Sequence, residues 1–159
     1  MDSPMQNFVL PSIDRGLAVI DRYLDVMVLT GGQLLAERLA AGSPTLFEHM
    51  AAAVDTANEG LSAMLGFDAT IPLIEGHGET IIRAGVAATR ANVAHVANQA
   101  ILETEEMHDY VVQTMLPEFY FHITHAHGIL RSAGAHIGKR DYLGNLEAHY
   151  EDQMPAYHS

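Results

Sequence analysis

The chain has 159 residues, with 8 Lys and Arg against 20 Asp and Glu, and its formal charge is −12 when its 10 histidines are neutral. So acidic a surface disfavours nucleic acid and anionic membrane as partners. Cysteine is absent, which excludes disulfides, a thiol nucleophile and a thiolate metal site and fits a reducing cytoplasm.

The opening residues, MDSPMQNFVLP, carry no basic region and no long apolar run, so no secretory leader is expected. A first helix is predicted over residues 5–29, because Leu10, Ile13, Leu17, Ile20, Leu24 and Met27 recur at three- and four-residue spacing. Asp14, Arg15, Asp21, Arg22 and Asp25 interrupt its apolar run, so it does not read as a membrane span. Pro11 either kinks this helix or marks its first turn. Thr30-Gly31-Gly32 ends it, and residues 33–41 read as a short helix or an ordered connection.

A second helix is expected to start with Ser43 as N-cap and Pro44 in its first turn. Its stripe is Phe47, Met50, Val54, Leu61 and Leu65, and Gly66 stops it. A loop containing Pro72 leads to an alanine-rich third helix over residues 79–101, with Ile82, Val86, Val93 and Val96 on its core side. The acidic run of Glu103, Glu105, Glu106 and Asp109 reads as a turn or helix end with a solvated face. A fourth helix is predicted after Pro117, ending at Gly134, followed by Gly138-Lys139-Arg140-Asp141 and a polar tail. No internal repeat or linker divides residues 1–159, which are expected to form one domain. The pattern is that of an all-α, four-helix bundle of up-and-down type.

Residues 116–144 read LPEFYFHITHAHGILRSAGAHIGKRDYLG. The blocks Phe119-Tyr120-Phe121-His122, Ile129-Leu130-Arg131, Gly134, Gly138-Lys139 and Asp141-Tyr142-Leu143-Gly144 resemble the C-terminal signature of the domain-of-unknown-function 1993 family. Weaker matches are Pro11, Arg15, Arg38-Leu39, Asp55, Ala57 and Glu79-Thr80. That resemblance implies a DinB-like four-helix bundle, often a homodimer, in a superfamily that includes metal-dependent enzymes such as thiol transferases with three histidine ligands. The chain departs from the family pattern by carrying His127 where tyrosine is common, Thr56 where many members have histidine, and Asn58 where lysine is found.

On a helical wheel of about 100° per residue, His122 lies inside the apolar arc of the fourth helix. His125 and His127 stand on its two shoulders. A histidine in an apolar stripe needs partners for its ring nitrogens. It is either a neutral core residue bonded to a neighbouring helix or a ligand to a divalent metal, zinc or nickel. In the second case His122 and His125 are ligands, with Asp55 or His127 contributing, and the protein is a metal-dependent transferase or hydrolase of a small molecule. In the first it is a non-catalytic ligand-binding or dimerising bundle with a lost metal site. Asn58 falls where a second-helix residue can face the cluster. His95 on the third helix is either a further ligand or a packing residue. The block around Lys139 and Tyr142 predicts either an ion pair and a packed tyrosine anchoring the tail, or an anion-binding lip in which Lys139 and Arg140, joined by Arg131, meet a substrate carboxylate or phosphate. No GxSxG elbow, phosphate loop, HExxH or dinucleotide fingerprint is present.

Overall fold

A computed structural model describes residues 3–30, 33–66, 74–101 and 103–144 of the chain, and those residues contain helices and turns without a strand. A π turn, Met5–Val9, runs directly into α1, Leu10–Thr30. Then follow α2, Leu46–Met64, and α3, Glu79–Val96. The last long rod is continuous: α4, Glu105–Tyr110, a π turn over Val111–Met115, and α5, Leu116–Ser132. A short α6, Lys139–Leu143, closes the described part.

Both prolines inside these rods sit two residues beyond a π turn. A proline within an α-helix lacks one donor and its ring collides with the carbonyl four residues back. The wider π turn bonds N–H to the fifth carbonyl back, as Leu10 does to Met5 and Leu116 does to Val111. Pro11 and Pro117 are thereby carried within continuous helices. The fourth rod therefore starts well before Pro117. Thr104 caps it by accepting the Met107 N–H, and the acidic Glu105 and Glu106 of its first turn favour the positive end of the helix dipole.

The second helix is capped by Thr45, not Ser43. Thr45 has an acidic residue three places on, and the two form a reciprocal capping box: the Glu48 N–H donates to Thr45 Oγ1, and the Thr45 N–H donates to the Glu48 carboxylate. Ser43 has no such partner at position 46; its hydroxyl donates instead to the Ala40 carbonyl and closes the preceding turn. The third helix ends at Val96, short of the predicted residue 101.

Pairs of touching residues give the direction of each rod. Ser12 meets Tyr120 and Tyr23 meets His127, so α1 and α5 run parallel. Asp14 pairs with Arg90 and Asp25 with Arg83, so α3 runs against α1. His49 meets His122, and Gly60 faces Met115, so α2 runs against α5. The four-helix bundle therefore runs up, down, down, up along the chain, with the long connections before α2 and α3 making that order reachable. α5 packs most extensively on α2. One cluster of buried side chains from all four rods forms the core, including the fully enclosed Tyr23, Phe119, Ile13, Leu17, Leu61 and Ile82. No described helix is long and apolar enough to cross a membrane.

Candidate functional site

The α2–α5 seam brings three imidazoles together. His49 comes from the first turn and a half of α2, one turn below Ala53 and one above Leu46 on the buried face. It is only 3% exposed. Its Nδ1 lies 3.1 Å from Nδ1 of His122 on α5, one ring donating to the other. The His125 ring stacks on His49, with centroids 4.9 Å apart and planes inclined by 23°, and the Phe121 ring packs against His125 at 4.0 Å and edge-on to His49 at 6.3 Å. The Phe121 carbonyl can only accept, so the 2.9 Å contact to His125 Nδ1 puts the proton on that nitrogen. His125 Nε2 is thus left with its lone pair.

Burial, followed by the neighbouring imidazoles His122 and His125, pushes the His49 pKa down to about 4 against the opposing pull of Glu48. Burial also lowers His122, with Glu118 acting in the opposite direction; the Glu118 carboxylate stands 3.9 Å from His122 Nε2. Both rings are neutral at physiological pH. Neutral imidazole is the form that a transition metal takes as a ligand.

The donors suit such an ion. Two nitrogens bound at about 2.0–2.1 Å in tetrahedral arrangement stand roughly 3.3 Å apart, close to the observed His49–His122 spacing. Among the described residues no three His, Cys, Asp or Glu side chains form a complete ligand group, and His125 is the third nitrogen donor adjoining the pair. An open cleft of about 400 Å³ leads to His122 between the residues before α2 and the start of that helix, with Arg38, Ser43, Glu48 and Ala52 in its walls.

The other sequence candidates lie apart from this cluster. His127 points the other way around α5, toward α1, where its Nδ1 is 2.6 Å from the Tyr23 hydroxyl. Asp55 accepts the Ile74 backbone N–H at 2.8 Å, tying α2 to the segment before α3, and burial raises its pKa. Asn58 is buried, and its Oδ1 finds no hydrogen-bond donor among the described residues. His95 is exposed on α3. Arg131 donates to the Ile137 carbonyl, and Lys139 is exposed at the start of α6. Tyr142 accepts from the Thr124 hydroxyl and packs against Tyr120 and His127, while Asp141 pairs with Arg22 of α1 at 3.1 Å. The ion pair and the packed tyrosine are thus both present at this end of the chain.

His49 was not among the sequence candidates. The signal for it is its place three residues after Leu46 and four before Ala53, on the same buried face. A polar residue on that face asks for a partner.

Residues 10–143 match the model of a family described as "Domain of unknown function (DUF1993)". Among solved structures, the fold is similar to the crystal structure of a DinB family member protein from Shewanella denitrificans, with a TM-score of 0.69 and 23% identity over 88% of this chain and 94% of that one. At that identity the likeness is one of fold. No functionally curated protein matches the sequence. The family match runs from the start of α1 to the end of α6 and takes in both halves of the histidine cluster, and the chain belongs to the domain-of-unknown-function family DUF1993, with a DinB-like helical bundle as its fold.

Proposed function

We propose that the chain is a metal-binding bundle in which His49, His122 and His125 hold a divalent transition metal, zinc or nickel, and that it acts on a small molecule as a metal-dependent transferase or hydrolase. The observation that carries this reading is the 3.1 Å approach of two neutral imidazole nitrogens from different helices, that of the buried His49 and that of the half-buried His122, with the His125 ring stacked on His49. Bound there, such an ion supplies Lewis-acid polarisation of a substrate or activation of its nucleophile. The chain's own residues prepare the place. Burial keeps His49 and His122 unprotonated, the Phe121 carbonyl fixes the His125 tautomer, and the Glu118 carboxylate, 3.9 Å from His122 Nε2 and not hydrogen-bonded to it, adds a nearby negative charge. The cleft beside His122 gives a small molecule access.

A second reading has its own observation. His49 and His122 bond to one another directly, and such a bond is what a non-catalytic ligand-binding or dimerising bundle needs for the buried ring of His49. A cytoplasmic homodimer is proposed under either reading; the absence of cysteine fits the compartment.

Metal content by plasma mass spectrometry on tag-free, chelator-free protein decides between them. About one ion per chain, lost in both His49→Ala and His122→Ala, is the result expected of a metalloprotein. Metal-free wild type that stays metal-free after incubation with zinc or nickel would sink the metal reading and leave the imidazole pair as a structural bond.

A further inference from the structure

The arginines of α1 and α3 whose bonds are described meet carboxylates or a tyrosine: Arg22 binds Asp141, Arg83 binds Asp25 and Glu79, Arg90 binds Asp14, and Arg15 donates to the Tyr120 hydroxyl. Arg38 differs. It stands in the connection before α2, exposed, and its Nη1 donates to the Ser43 backbone carbonyl at 3.1 Å. Its charge is felt by the Glu48 carboxylate in the same cleft, whose pKa it helps to lower, without a direct ion pair between the two among the described contacts. The bond to Ser43 orients the guanidinium fork. The fork lines the same cleft that ends on His122.

The opposite charge in the cleft is already committed. The Glu48 carboxylate accepts the Thr45 N–H in the capping box, and those bonds, with a smaller contribution from the Arg38 charge, hold its pKa below the usual range, so it stays ionised. One oriented cation beside one fixed anion, in a chain of formal charge −12, repels polyanions and leaves room for one acidic group. Arginine recognises carboxylate and phosphate with parallel N–H donors.

We infer that Arg38 is the substrate-recognition residue of this cleft and that the substrate is a small molecule bearing a single carboxylate or phosphate group, held by the guanidinium so that the rest of the molecule reaches His122. This rests on the cleft being the working site of the proposed metal centre. Arg38 does not touch the histidines and supplies binding and orientation only.

The test is a nitrogen–proton NMR titration of the full chain with matched pairs of probes: propionate against propionamide, and glycerol phosphate against glycerol. The charged members are expected to shift the resonances of Arg38, Ser43 and His122, and the neutral members are not. Arg38→Gln, a change at an exposed position, is expected to weaken that response by about tenfold or more, as loss of a hydrogen bond to a charged group does. Arg38→Lys is expected to recover part of it for phosphate. Charged and neutral probes acting alike, no response at Arg38, or an Arg38→Gln response equal to wild type would each overturn the assignment. Metal content measured on the same samples separates the two ideas. Arg38-dependent anion binding by a chain that takes up no metal leaves an anion-binding cleft without a metal centre. Full metal uptake without anion preference removes the role of Arg38 alone. Carboxylate and phosphate probes compared side by side identify which acid is preferred.

Discussion

The imidazole of His49 is the residue on which most depends, because it is almost wholly enclosed and its partner is another histidine. Its folded pKa is about 4 against an ordinary value of 6.5. Above pH 6.5 neither the folded nor the unfolded chain protonates it, and its contribution to stability is intact. Between 6.5 and about 4 the unfolded chain takes up the proton first, so stability falls as pH falls. His122 and His127 are lowered as well and act in the same direction. Metal-free protein is expected to show a lower urea midpoint at about pH 5 than at neutral pH. His49→Gln, which removes one of the titrating groups, is expected to show a shallower fall. A flat profile in wild type would mean that these rings do not titrate as enclosed groups. The Tyr23 hydroxyl is the second residue of this kind. It is buried and bonded to His127, and burial raises its pKa. Tyr23→Phe leaves His127 Nδ1 without its partner and is expected to cost about 1–2 kcal/mol in denaturant unfolding.

Among the elements, close helix approach is set by glycine. A Cβ at Gly16 would stand 2.4 Å from Cε1 of the fully buried Phe119 ring and 2.9 Å from Ile123, so α1 and α5 can meet only where that side chain is missing. At Gly60 a Cβ would stand 2.6 Å from the terminal methyl of Met115, an unbranched side chain that adapts more readily than an aromatic ring. Gly16→Ala is therefore expected to destabilise by about 1–3 kcal/mol, and Gly60→Ala by less; thermal melts of the two variants give the order. The start of α2 offers a separate test. Thr45→Ala removes the acceptor of the Glu48 N–H and with it the capping box, at an expected cost of about 1 kcal/mol. Because that turn also holds His49 and one wall of the cleft, the metal affinity proposed for the site is expected to fall with it.

For the whole molecule, the order of helices in space decides what can become a site. Parallel α1 and α5 share a polar seam in which Ser12, Arg15 and Tyr120 interlock, with Tyr23, His127 and Tyr142 further along. Antiparallel α1 and α3 are stitched instead by exposed ion pairs from Asp14 to Arg90 and from Asp25 to Arg83. Such pairs contribute little. Arg83→Gln is expected to change stability by less than about 1 kcal/mol and to do so less at high salt. A larger effect would show that the Glu79–Arg83–Asp25 group works as a network.

The helical class, the long amphipathic segments and the C-terminal signature were legible in the sequence, because periodic burial and short motifs are local properties of the chain. His122 and His125 could be singled out for the same reason, as polar residues in or beside an apolar stripe. Where each helix begins was less legible. By residue type Ser43 is the better cap of the two, and the reach of Glu48 selects Thr45. Pro117 reads as a helix start until the preceding π turn shows how a longer rod carries it. Which histidines meet was decided by tertiary structure alone. His127 is two residues from His125, yet the turn of the helix sends it to Tyr23. His49, separated from His122 by 73 positions, reaches it because α2 and α5 pack antiparallel. A wheel fixes the face on which a side chain stands. The neighbour it meets depends on the order and direction of the rods, which the core packing and the long connections set together.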